Sequence, residues 1–551
     1  MLENNNDKMK TGRHRMFLLG ILCLSAFCLV AQVVPNRIGG QSVRSKVFLL
    51  HADVLKKNKI NPNAQILVGD VTFRHDSIYM YCDSAYFYEK SNSLEAFDNV
   101  KMVQGDTLFL YGDYLFYDGN TQIAQIRNNV RMENRTITLE TDSLNYDRVA
   151  NLGYFFDGGT LMDEENVLTS NWGEYSPATK WSVFNYDVKL VNPQFTLTSD
   201  TLRYNTMSKV ASIVGPSNID SKENHIYSEL GFYNTQFGQA ELLNRSILTN
   251  DGKQLTGDSL FYDRNRGIGE AFGHVVFLDT INKNKLSGEY CFYNQLTSYA
   301  FATDKAVATD FSQGDSLFIH ADTLQMFTFH LNTDSVYREA RAFHKVRIYR
   351  TDIQGVCDSL VFSSKDSCLT MYRDPILWNK QQQLLGEEIM IYMNDSTVDR
   401  AHIHNQALTV ERIDSVNYNQ VTGQDMKAYF KNGDMRQVEV IGSVRLVYYP
   451  MEKDSTLMGM NVLETGRLNL FLENRKWKRI WMPKANGVLY PMNQLPPEKM
   501  KLDNFAWFDY IRPLNKQDIF NWRGKRAGQE LKKSTRGPVS LPNQKLFENK
   551  K

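Results

Sequence analysis

The sequence predicts an all-β body of stacked, repeated strands, elongated along the stack. Three observations carry that expectation. A short phrase recurs down most of the 551 residues, seen best in Gly257-Asp258-Ser259-Leu260-Phe261-Tyr262-Asp263. Residues alternate in character within it, and no amphipathic helical period runs between His51 and Tyr449. Close copies are Gly112-Asp113-Tyr114-Leu115-Phe116-Tyr117-Asp118, Thr141-Asp142-Ser143-Leu144-Asn145-Tyr146-Asp147 and Ser199-Asp200-Thr201-Leu202-Arg203-Tyr204-Asn205. Looser copies keep an acid at the same place: Asp83, Glu174, Glu229, Glu289, Asp322, Asp358 and Glu387. Neighbouring acids stand about thirty residues apart, a repeat period. A unit that cannot bury its own apolar face must stack on copies of itself. Function is therefore expected along an extended surface and not in one pocket.

Taken from the N-terminus, the chain opens with a basic flank, Lys8, Lys10, Arg13 and Arg15, before an apolar run from Met16 to Val34. That is the pattern of an export signal, and the run is also long enough for an uncleaved anchor. Residues 1–34 form this segment, with a candidate cleavage point after Ala31. The repeat body begins near Lys46. In each copy one face takes a Leu/Tyr pair, as in Leu260/Tyr262, while Phe261 and Arg203 fall on the other face. The Gly-Asp-Ser or Thr-Asp-Ser lead-in reads as turn chemistry. Between copies lies a second strand with a small or polar residue before Val: Asn99-Val100, Asn129-Val130, His274-Val275, Lys345-Val346 and Ser443-Val444. Each unit then reads as two short strands joined by polar turns such as Asn250-Asp251-Gly252 and Asn432-Gly433-Asp434. Prolines are sparse from Asn63 to Tyr449, which suits paired strands.

The body divides by repeats into 47–200, 201–330 and 331–450. Beyond it, Trp477, Trp481, Trp507 and Trp522 cluster, and Pro483, Pro491, Pro496, Pro497 and Pro513 break regular strands. Residues 452–520 are expected either to cap the open sheet edge or to dock a partner. Residues 521–551 are polar and basic and read as a disordered tail. The strand directions remain open: antiparallel stacking, or a parallel β-solenoid of about one coil per repeat.

Formal net charge is +1, so no global field points to nucleic acid. No catalytic constellation is recognisable, and no cofactor is called for. Recurrent acids argue against a glycosidase pair, which occurs once per site. Gly267-Ile268-Gly269 precedes a strand and is too short for a nucleotide fingerprint. His402-Ile403-His404 puts two imidazoles on one strand face without an identifiable third ligand. Cys82, Cys291, Cys357 and Cys368 would survive signal cleavage. Cys357 and Cys368 either meet across a hairpin or serve as small buried thiols.

The small–x–Val strand paired with the Gly-Asp-Ser-Leu-x-Tyr-Asp strand, behind an export signal, resembles the OstA/LptA-like proteins of lipopolysaccharide transport. Ala96-Phe97-Asp98-Asn99-Val100 before Gly112-Asp113-Tyr114-Leu115-Phe116-Tyr117 carries the likeness, as do Ala271-Phe272-Gly273-His274-Val275 and Leu286-Ser287-Gly288-Glu289. The likeness spans roughly residues 47–450. It implies a folded-over antiparallel sheet, the β-jellyroll or β-taco, whose apolar groove shields acyl chains. The implied groove residues are Val100, Leu115, Tyr117, Val130, Leu144, Tyr146, Leu202, Tyr204, Leu260, Tyr262, Val275, Val346, Leu360 and Phe362. Implied partners are lipopolysaccharide, related β-taco domains on inner- and outer-membrane components, and a second copy end to end. The implied place is the periplasm. An exported scaffold with a dry core needs the same alternation and stands as the rival. The sheet ends are expected at Ala64–Phe73 and Val438–Tyr448.

Overall fold

A run of residues with alternating burial makes a strand, and this chain makes forty among the described residues. The computed structural model describes residues 45–531, apart from 60, 223, 251, 313, 395–396, 432–433, 453, 455, 474–475 and 530. The N-terminal apolar segment, most of the basic tail, and Asp251, Asn432 and Gly433 of the expected turns lie outside them. All the strands join one sheet, and every strand pairing in it is antiparallel. The parallel solenoid is therefore wrong: the long strands return antiparallel beside one another through short turns, as Ile123–Asn134 does beside Leu108–Asp118.

The body strands are longer than the two-short-strand unit predicts. Leu108–Asp118, Ile123–Asn134 and Ile137–Asp147 each run about four rungs on either side of a mid-strand irregularity. There the register slips, as between Arg127 and Val130 against Ser143 and Thr141. In one strand of each pair two consecutive residues turn left-handed: Asp98 and Asn99, Asn128 and Asn129, Tyr186 and Asp187, Asn244 and Arg245, His344 and Lys345, Asn405 and Gln406. This crease folds every hairpin over, so one sheet becomes two facing half-sheets. The residue before Val in the small–x–Val pattern is the second member of the crease.

The Asp-Ser lead-in is correspondingly not a turn. Asp142-Ser143 sits inside the strand Ile137–Asp147, opposite a crease. The recurring acid holds the neighbouring crease residue: the Asn99 side chain donates to Asp83 at 2.7 Å, and Asn129 donates to Asp113 at 2.6 Å. His274 meets Asp258 at 2.8 Å, and Gln406 donates to Glu387 at 2.6 Å. Gly112 has no positive φ. A Cβ there would stand 2.5 Å from an Ile126 methyl, so close packing at the crease excludes one. The actual turns follow the phrase. Its last residue accepts backbone N–H groups, as Asp147 does from Val149 and Ala150 at 2.8 and 2.9 Å.

The sheet continues past Tyr449, through Gly459–Glu473, Lys476–Trp481 and Ala485–Pro491. Pro483 falls between strands and Pro491 ends one, so these prolines delete no ladder bond. The last two strands pair only with Gly459–Glu473, and Phe48–His51 and Val54–Lys57 pair only with Gln65–His75. The sheet thus ends one strand layer beyond the expected position at its start and two layers beyond it at its far end.

Residues 492–526 do not cap that end. They run back along the outer face of one half-sheet as a strap of 3-10 turns and extended segments. Buried glutamines hold its backbone. Gln420 donates to the Met500 carbonyl at 2.8 Å and accepts from the Leu502 N–H at 2.9 Å. Gln383 does the same with Ala506 and Phe508, at 2.9 and 2.7 Å. Gln354 takes the Arg512 guanidinium, and Arg347 donates to the Ile519 carbonyl. Phe508 and Ile511 complete a cluster with Val356, Ile376, Trp378 and Val410. The start of the basic tail is ordered here: Arg523 pairs with Asp518, and Lys525 lies 2.5 Å from Asp374. The four described cysteines are free thiols. Cys357 is in register with Val346, and Cys368 with Ser363 and Tyr392, so the two are not cross-strand neighbours.

Asn129→Val should cost about 1–2 kcal/mol, since a β-branched residue is strained at positive φ. Asn129→Gly should cost much less, and local hydrogen-exchange protection of Ile123–Asn134 reads both. Gln383→Leu should cost about 1–3 kcal/mol by orphaning the Ala506 carbonyl and the Phe508 N–H. Limited proteolysis should then cut within 500–515 before any other part of the body.

Candidate functional site: the apolar interior

The inward residues form rows that cross the sheet from strand to strand. One row runs Tyr117, Ala124, Tyr146, Gly153, Tyr175, Ser182, Tyr204, Ala211, Tyr233, Ala240, Tyr262, Gly269, Tyr293 and Ala300. Large and small side chains alternate along it, so each phenol ring lies over a residue that leaves it room. The phrase in the sequence supplies the tyrosines. Their small partners escaped notice, although Ala124, Ala211 and Ala240 each stand two residues before an apolar side chain on the same face.

Of the groove residues inferred from the resemblance, Val100, Leu115, Tyr117, Val130, Leu144, Tyr146, Leu202, Tyr204, Leu260 and Val275 lie buried in one core running from Val47 to Val275. Val346 and Leu360 belong to a second core, from Ala302 to Leu470. Tyr262 and Phe362 are only partly buried. Phe261 and Arg203 face outward, as their parity requires.

The interior is not uniform. In the first core the phenols span the gap between the two rims. Tyr117 shares a 2.6 Å hydrogen bond with His75, and the single Tyr146 hydroxyl donor lies 2.6 Å from Asn151 Oδ1 and 3.1 Å from Gln104 Oε1. Tyr204 donates to Asp163 at 2.7 Å, and Lys209 meets that carboxylate at 2.5 Å. Asn134 donates to Tyr175 at 3.4 Å. Burial pushes the Tyr117 and Tyr146 phenols up to about 12, and burial with the Asp163 hydrogen bond raises Tyr204 further. These groups therefore stay protonated donors and latch the rims shut.

Past Tyr233, which packs edge-on to Phe195 at 4.7 Å, the pattern changes. Tyr293 and Met326, inward by register, are each 47% exposed. In the next row inward, Leu115, Ile126, Leu144 and Phe155 of the first core are succeeded by Ala271, Cys291, Ala302, Leu324, Ala342 and Leu360. Cys291 packs against both cores and marks the seam. Further along, Leu384, Ile403, Val421, Met426, Val438, Val440, Leu446 and Leu470 line an apolar cavity of about 100 Å³. Chemically the interior offers burial and little else.

Residues 44–200 match the family model described as OstA-like protein. The resemblance read from the sequence thus holds over the N-terminal part of the body, a shorter span than residues 47–450. A match among solved structures is the crystal structure of LptH, the LptA homologous periplasmic component of the conserved lipopolysaccharide transport device from Pseudomonas aeruginosa. It is 18% identical, covers 20% of this chain and 87% of that chain, and has a TM-score of 0.19. No curated protein matches the chain.

Burial holds the His75 imidazole below its ordinary value of 6.5, against the pull of Asp76. The unfolded chain takes up that proton near 6.5, while the folded chain resists it. Stability is thus fully present above 6.5 and is lost as pH falls through the lowered folded value. Melting temperature should drop between pH 7.5 and pH 5.5, and His75→Gln should flatten part of the slope. His320 and His402, lowered chiefly by burial, keep the remainder.

Proposed function

We propose that the protein is a non-enzymatic carrier of lipopolysaccharide in the periplasm, which shields acyl chains between its half-sheets. The loosened interior at Tyr293 and Met326 carries this reading. Burying a CH₂ group is worth about 0.8 kcal/mol, so an acyl chain of ~12 carbons strongly favours an apolar slot over water. Chains would enter at the rim around Tyr293, Met326 and Phe362. They would extend toward the cavity behind Leu384 and Val438. The OstA-like match at residues 44–200 supports the substrate class.

The two sheet ends support a bridging role between inner and outer membranes. Edge strands offer unpaired N–H and C=O groups. Here they also bare apolar side chains, Phe48, Leu50 and Leu55 at one end and Ile480, Val488 and Leu489 at the other. Related β-taco domains of membrane-bound components, or a second copy, would continue the sheet by strand addition. Because the strap leaves the last edge strand uncovered, it favours neither capping nor end docking. The scaffold reading keeps one observation in its favour: the first core is fully packed, with Leu115, Leu144 and Leu202 at 0% exposure.

Photocrosslinking side chains at Tyr293 and Met326 should capture lipopolysaccharide in living cells, and Tyr146 and Tyr204 should capture less. Capture from the outward Phe261 alone, or from no position, would leave the dry scaffold as the better account.

A further inference from the structure

The strand Thr397–His404 presents His402 and His404 on one face, two residues apart. The sequence offers them no companion, but the fold does. The strand Asp425–Lys431 pairs with theirs, with Ile403 in register with Met426, and this brings Asp425 beside both rings. His404 Nδ1 lies 2.5 Å from Asp425 Oδ1, and His402 Nε2 lies 3.3 Å from the same oxygen. One ligand atom from each residue lies within 4.8 Å of the other two. The three side chains are about three-quarters buried, at 23, 27 and 23% exposure.

We propose that His402, His404 and Asp425 hold a divalent transition-metal ion of the zinc class. Metal–donor bonds of ~2.0–2.1 Å in a tetrahedron set donor atoms ~3.3 Å apart. His402 and Asp425 already stand at that separation. The closer His404 contact needs to open by roughly 0.8 Å, within reach of one carboxylate rotation. Two imidazoles and a carboxylate leave a fourth position for water or a further ligand, and Glu388 is in register with His404 on the neighbouring strand. Lys427 is in register with His402 and must extend into solvent once a cation is bound.

The ion would tie two strands together at their crease ends, since Asn405 and Gln406 form the crease beside His404. Ile403 and Met426, on the opposite face of the same strands, line the apolar cavity. Metal binding outside would thus stiffen that cavity's wall.

The test uses the full chain without a histidine tag, zinc ion alone as ligand, and titration calorimetry with thermal melts. One zinc per chain and a raised melting temperature are expected. Cobalt(II) substitution should give the visible bands of tetrahedral coordination. The double variant His402→Ala/His404→Ala should weaken binding by more than about 100-fold with an unchanged β-sheet circular dichroism spectrum. If that variant misfolds, His404→Gln, which keeps a hydrogen-bonding group toward Asp425, should fold and bind at least about tenfold more weakly. No zinc binding to the wild-type chain, or equal binding to the variants, would overturn the site. Neither result bears on lipid capture.

Discussion

Everything in this fold depends on a pair of left-handed residues in the middle of alternate strands. A flat hairpin stack of this length would expose one apolar face along its whole extent. Two consecutive positive φ values turn the strand through the sheet plane and fold that face onto itself. Few side chains tolerate the conformation. Asn and Asp do so because their short polar groups bond locally, and Gly because it lacks a Cβ. The acid on the next strand then secures the crease, as Asp83 does for Asn99 and Asp113 for Asn129. Repetition of one local device converts a sheet into a sleeve.

The sleeve's two halves use the same backbone to different ends. From Leu67 to Tyr233 the interior is filled and its rims are joined by phenol hydrogen bonds. Past Tyr233, inward side chains reach solvent at Tyr293 and Met326. Inward apolar groups left in water forgo the stabilisation of burial. Farther along, the strap adds a second apolar layer on the outside of one half-sheet, around Trp378, Val410 and Phe508.

The strap also explains the outward glutamines. A glutamine buried on an outer sheet face is costly unless both ends of its amide are bonded. Gln383 and Gln420 each receive one donor and one acceptor from the strap backbone, as a neighbouring strand would supply. The strap's prolines, Pro496, Pro497 and Pro513, fit because side chains and not a backbone ladder hold this segment.

The sequence by itself determined the strands, the repeat and the inward parity, because alternation with period two needs only the pleat to become a buried face. It also marked the crease, through the residue before Val100, Val130, Val275, Val346 and Val444, and its acid partner, although both looked like turn chemistry. Turn and crease both draw on Gly, Asp, Asn and Ser, although the crease also takes Tyr186, Arg245 and Lys345, and only register tells them apart. Tertiary structure alone decided which tyrosines latch. Tyr117 and Tyr293 occupy the same place in the repeat, yet one meets His75 and the other meets solvent. The same holds for the path of the strap and the meeting of His402 and His404 with Asp425. These are contacts between residues far apart in the repeat or brought together by strand register, and no local pattern encodes them.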